Sequence, residues 1–307
     1  MHEPPPSASH LPPGRTTHGP SPGAARRRGL LASLPLGLLA GCGGLRGFGS
    51  GGGQELGLQT DIAYGPAPRQ KLSVYHPLAP VPLPGWPVLV AFHGGFWQFG
   101  NRDEWQMHLM ARRIGAQGVV VVLADYRLYP EVTFPTFVED GAAAVAWAAR
   151  NAHALGGDAR LLFAAGHSAG AHIAVLLGLD RRYLDAHGLR LAGAVGIAGP
   201  YGTWFQDHLL VGGAFPPATR GASSPIALAH AGGAPLLLLG AGMDPIVRPS
   251  DATELAARIR AAGGNAEARI YSAGHLSIMM SALPGTMPAY EDTAAFIHRI
   301  AAGQRSS

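Results

Sequence analysis

"RLLFAAGHSAGAHIAVLLGLD" (160–180) runs an apolar stretch into a second one through Gly-His-Ser-Ala-Gly. Residues 160–166 have the length and continuity of a strand buried on both faces, and 169–180 reads as an apolar helix leaving it. Ser168 falls on the joint, with a glycine two places before and two after. A serine there takes a strained backbone conformation that holds its oxygen over the sheet, and Gly166 and Gly170 give room where strand and helix nearly touch. The pattern alone decides little. With 44 glycines in 307 residues, roughly 0.3 matches to it are expected by chance. The context must carry the reading.

Outward from this joint, strand-like and helix-like runs alternate. "LSVYHP" (72–77) has the period of an exposed edge strand, while "PVLVAFH" (87–93) and "VVVVLADY" (119–126) are continuous apolar runs. "FVEDGAAAVAWAARNAHAL" (137–155) has helical spacing and stops at Gly156-Gly157. "LAGAVGIAG" (191–199), "APLLLLGAG" (234–242) and "AEARIYSAG" (266–274) are further strands. "SDATELAARIRAAGG" (250–264), capped by Ser250 or Asp251, and "YEDTAAFIHRIAA" (290–302) are helices. This alternation predicts one α/β domain, a mostly parallel central sheet with helices on both faces. Ligands of such sheets bind beyond the carboxyl ends of the strands.

The candidate residues fall where that rule puts them. "HGGFWQFG" (93–100) follows a strand, and paired glycines there let backbone N–H groups approach a ligand oxygen. The amide of Ala169 points to the same place. His93 reads as a structural loop-holder, and Phe96 and Trp97 as pocket-lining or packing residues. Among the carboxylates after Ser168, Asp244 alone follows a strong buried strand; Asp180, Asp185 and Asp207 lie at helix ends or in loops, and Asp251, Glu254, Glu291 and Asp292 open helices. His275 follows the next strand, whereas His187, His208, His230 and His298 lie in less regular or helical stretches. Ser168, Asp244 and His275 therefore form a candidate nucleophile, acid and base in that chain order.

Composition excludes some other classes. The five arginines of residues 1–50, against Glu3, account for the whole formal charge of +4. The remainder, with Lys71 as the only lysine, has no basic stripe for nucleic acid. No Cys or His spacing suits a metal, and no glycine loop matches a dinucleotide fingerprint, so no cofactor is expected. "ARRRGLLASLPLGLLAGC" (25–42) reads as an export signal: a basic start and an apolar run too short to span a bilayer. Leu39-Ala40-Gly41-Cys42 resembles a lipoprotein cleavage site with Cys42 as the lipidated residue, and either the twin-arginine or the general secretory route would serve. The expected organisation is a signal with a long basic lead (1–41), a Gly-rich tether (42–58) and a catalytic domain (59–307). The expected location is the bacterial cell envelope, on a lipid anchor; failure of the signal reading would leave a cytoplasmic protein.

From about Asp61 to Ala301 the chain resembles bacterial α/β-hydrolase serine esterases, both those related to hormone-sensitive lipase and the kynurenine-formamidase-like branch. "DYRLYPEVTFPTFVED" (125–140) is close to a segment of the first group, "HGGFW" to the second, and "GHSAGAH" to both. The sequence departs from the His-Gly-Gly-Gly of the first at Phe96. The resemblance implies an α/β-hydrolase fold, Ser168 as nucleophile, His275 as base, Asp244 as orienting acid, and an oxyanion hole from Ala169 with two amides among Gly94, Gly95 and Phe96. Arg127 with Asp140 and Asp158 read as architectural, and His172 as a helix residue near the site. No large N-terminal cap is expected. A small, open lid from 199–226 would bring Tyr201 and Trp204 to the pocket beside Trp97. The implied activity is a carboxylesterase for short-chain or small-acyl esters, polysaccharide deacetylation being a variant. An arylformamidase and a non-catalytic surface-binding lipoprotein are the alternatives.

Overall fold

The computed structural model describes residues 54–208, 211–281 and 287–306. The export signal, Cys42 and most of the tether (42–53) lie outside them. Eight strands make one sheet: β1 (Leu56–Ala63), β2 (Lys71–Pro77), β3 (Trp86–Phe92), β4 (Val120–Ala124), β5 (Gly157–His167), β6 (Gly193–Ile197), β7 (Leu236–Ala241) and β8 (Ala266–Tyr271). Their order is β1-β2-β4-β3-β5-β6-β7-β8. β1 and β2 run antiparallel to their neighbours, and the remaining pairs are parallel. Every carboxyl end from β3 to β8 therefore opens on one edge.

The central strands are apolar throughout because both faces are covered. Val88, Val90 and Phe92 of β3 enter one core with Val120, Val122 and Leu162, whereas Leu89 and Ala91 enter the other with Val121, Leu123 and Phe163. Helices α2 (Thr136–Asn151), α3 (Ala169–Leu179) and α5 (Ser250–Ala261) cover the first face, and α1 (Trp105–Gly115) and α6 (Ala289–Arg305) the second. All eleven residues of α3 are buried, which explains an apolar surface on every side. A short α4 (Arg182–Asp185) follows it.

Four expectations need correction. The edge strand on this side is β1, which already begins at Leu56, inside the stretch read as tether; its mostly exposed residues carry little pattern. Residues 72–77 instead lie between β1 and β4, mostly buried. Helix α1 went unrecognised although Met107, Met110, Ala111 and Ile114 bury one face at helical spacing. Asp251 does not cap α5: its Oδ2 accepts from the amides of Tyr201 and Gly202 and from Trp204 Nε1, each at 2.9 Å. That carboxylate ties α5 to the segment read as an open lid, and the segment is no open flap. Phe205 and Phe215 are buried in it, Ala214 accepts from the Phe134 amide, and Ser223 O pairs with His172 Nε2.

Candidate active site

Loops leaving β3, β5, β7 and β8 carry the candidate residues. Ser168, between β5 and α3, has φ 54° and ψ −117°, a region costing about 1–3 kcal/mol outside glycine. Its neighbours explain how the turn is tolerated. A Cβ at Gly166 would stand 2.2 Å from the Gly170 carbonyl carbon, and one at Gly170 would stand 2.1 Å from Phe92 O. Only glycine fits at either place. The turn is pinned by the Ser168 amide donating to Ile197 O at 2.9 Å.

His275 comes to Ser168 from 107 residues away in the chain, its Nε2 3.0 Å from the serine Oγ. Its Nδ1 lies 2.7 Å from Asp244 Oδ2, and Asp244 Oδ1 accepts from the Ile246 and Val247 amides at 2.8 and 2.9 Å. A carboxylate only accepts, so Nδ1 carries the proton and the Nε2 lone pair faces the hydroxyl. Ser168 and His275 are 6% and 5% exposed, and the Asp244 side chain is buried. The other carboxylates considered are engaged elsewhere: Asp180 with Arg182, Asp185 with Arg181, Asp207 with Arg220, Glu254 with Arg258, Glu291 with Arg113 and Asp292 with Arg269.

The loop after β3 lies against Ser168, since a Cβ at Gly94 would be 3.2 Å from Ser168 Cβ. Gly95, Phe96 and Trp97 have φ of 116°, 55° and 59°, and the Gln98 and Phe99 amides close the turn on Gly95 O. The amides of Gly95, Phe96 and Ala169 meet no protein acceptor among the described residues. His93 holds this loop: its Nδ1 pairs with Gly94 O at 2.6 Å, and its ring stacks 4.4 Å from that of Tyr126. Burial pushes its pKa down to about 4, so it stays neutral. Arg102, which sequence reasoning passed over, braces the same loop by pairing its amide and Nη1 with Asp125 at 2.6 and 2.5 Å. Arg127 pairs with Asp140 at 2.7 Å as expected, and Asp158 with Arg160 at 3.0 Å.

The pocket residues are a correction. Trp97 and Tyr201 are 2% and 0% exposed, and Trp97 packs among His172, Phe205, Phe215 and Phe137. Neither lines open space. Trp204 is half-buried, held by Asp251 and covered by Arg248 at 5.1 Å. Exposed apolar side chains on the loops bearing Gly94 to Phe96, Asp244 and His275 are Phe99, Met243 and Leu276, each about two-thirds exposed, and Ile246, less so. Met243 directly precedes Asp244 and Leu276 directly follows His275 in the chain. A separate groove lined by Phe134, Glu139, Arg182, Tyr183 and Thr219 contains none of the triad. No metal-holding group of His, Cys, Asp or Glu occurs among the described residues.

Solved structures share this architecture. A carbohydrate esterase from gut microbiota superposes with a TM-score of 0.68 at 17% identity, over 82% of this chain and 98% of its own. The hyperthermophilic esterase of Pyrobaculum calidifontis does so at 0.64 with 26% identity, over 75% and 81%. This is the α/β-hydrolase fold. Within it, residues 72–191 match the family model BD-FAE. Carboxylesterase NlhH of Mycobacterium tuberculosis is 41% identical over 104 residues, 34% of this α/β-hydrolase and 32% of the relative. The chain thus matches about a third of the length of such curated relatives.

Proposed function

We propose that this α/β-hydrolase is a serine carboxylesterase acting on small-acyl esters. The hydrogen-bonded chain from Asp244 through His275 to Ser168 carries the reading, and the esterase relatives support it. His275 Nε2 takes the hydroxyl proton as Ser168 Oγ attacks the ester carbonyl, and Asp244 stabilises the imidazolium formed. The oxyanion accepts from the amides of Ala169, Gly95 and Phe96, backbone donors that meet no protein acceptor among the described residues. His275 then protonates the departing alcohol, leaving an acyl-Ser168 that water cleaves by the same route in reverse. Phe99, Met243 and Leu276 provide apolar contact for the substrate at the mouth.

The N-terminal reading extends the proposal: export, and anchoring through a lipidated Cys42. Labelled palmitate incorporated by the full chain and lost in Cys42→Ser is the expected result in a bacterial host.

The test of the activity uses p-nitrophenyl acetate, butyrate and octanoate, with N-formylkynurenine alongside. Turnover of the short esters, abolished in Ser168→Ala, is expected. Efficient cleavage of the formamide alone would replace the ester by an amide of the formyl type. Absence of any Ser168-dependent turnover would sink the reading.

A further inference from the structure

We propose that His167 is a positioning residue that fixes the base against the nucleophile, by donating its Nε2–H to the backbone carbonyl of His275. The idea rests on the serine-esterase reading above and deepens it. His167 immediately precedes Ser168 at the end of β5, and its Nε2 lies 2.8 Å from His275 O. A carbonyl only accepts, so the ring must be the Nε2–H tautomer. The two imidazole rings stand 4.7 Å apart at 46°. On its other side the ring presses on the loop after β3, because a Cβ at Gly94 would come within 2.9 Å of His167 Nδ1. One nearly buried imidazole therefore touches all three parts of the site: the nucleophile's own strand, the oxyanion loop and the loop bearing the base.

The base needs such a strut. His275 sits on a loop beyond β8 whose next residue, Leu276, is 68% exposed. Asp244 fixes its ring, but the loop's backbone ties, Ser277 Oγ to the Gly274 amide and Ala273 O to the Met243 amide, hold the flanks and not the His275 backbone. A bond to the His275 carbonyl from a residue next in chain to Ser168 makes the Oγ–Nε2 separation a local quantity. A further requirement is neutrality. Burial first, and the neighbouring His275 second, push the His167 pKa down to about 3 against a smaller opposing pull from its bond to His275 O and from Asp244. When His275 becomes an imidazolium, His167 adds no like charge beside it.

The test compares His167→Leu with His167→Gln, whose amide Nε2 can reach the same carbonyl. Leu is expected to lower kcat about 10–100-fold with KM within about twofold, since a displacement near 1 Å costs that much; Gln should recover kcat to within about threefold of wild type. A pure packing role predicts equal losses in both, so equal impairment at unchanged melting temperature overturns the proposal. So does a Leu variant within threefold of wild type. Wild-type imidazole 15N–1H spectra decide independently of either variant's folding. A neutral His167 with a slowly exchanging Nε2–H from pH 8 to 5 is expected, and an Nδ1–H tautomer or a titration in that range sinks the idea. Absent ester turnover by wild type would instead refute the esterase reading, while the spectrum still tests the contact.

Discussion

At the residue scale, the site depends on which atom of each group is committed. Asp244 gives Oδ1 to two backbone amides and Oδ2 to His275. In Asp244→Asn the amide oxygen can keep the two N–H partners, which turns Nδ2 toward the imidazole. That donor forces His275 into the Nε2–H tautomer, which cannot accept the serine proton. A kcat loss of about 10³–10⁴-fold with little change in melting is expected. Gly170→Ala should act differently, through the fold. Its methyl would lie 2.1 Å from Phe92 O, backbone that cannot swing aside, so strand and helix must separate. A stability loss of about 3 kcal/mol or more, read from urea unfolding, is the expected outcome.

At the scale of elements, the start of the segment from β6 to β7 is tied to α5 by one carboxylate. Three donors converge on Asp251 Oδ2, two of them backbone amides. Asp251→Ala orphans all three, at about 3–5 kcal/mol in total. For a domain of this size that is a melting temperature lower by roughly 10 °C, and a shift under 2 °C would show that water replaces the carboxylate freely. The site loops carry a separate expectation. If Met243 and Leu276 meet the substrate, Met243→Ser/Leu276→Ser lowers kcat/KM for butyrate more than for acetate, by about threefold or more, because each added methylene loses apolar contact. An equal effect on both esters would place these side chains outside the binding path.

At the scale of the whole molecule, three imidazoles are folded into the interior neutral. Burial pushes His93 and His172 down to about 4 and His167 to about 3, against about 6.5 in an unfolded chain. Between those values the unfolded state binds more protons, so stability rises with pH. It is complete above about pH 7, declines below 6.5 and goes on declining to about pH 4 for His93 and His172 and about pH 3 for His167. Each group costs about 2 kcal/mol at pH 5. Urea midpoints at pH 7.5 and 5.0 should therefore differ strongly, the acid one lower. Equal midpoints would mean that these rings are not buried as described.

The sequence by itself determined the layered α/β architecture and named the three residues, Ser168, Asp244 and His275, that the fold joins in one hydrogen-bonded chain. Buried parallel strands must be apolar on both faces, and their carboxyl ends are where a chemical residue stands out: Ser168 after 160–166, Asp244 after 234–242, His275 after 266–274. Gly166 and Gly170 were legible because a close strand–helix approach admits nothing larger. What only tertiary structure decided were contacts between residues far apart in the chain, which leave no local period. Edge strand β1 is mostly exposed, so no buried face sets a period that separates it from a tether. Asp251 has the position of a helix cap, yet it serves a loop some 50 residues away. Trp97 and Tyr201 have the chemistry of pocket residues, yet Trp97 is buried in an aromatic cluster and Tyr201 in the hydrophobic core, both away from open space. His167 is one letter of a motif until the fold brings the His275 carbonyl to its ring. Periodicity records burial along an element; it holds no record of which distant backbone group a side chain will meet.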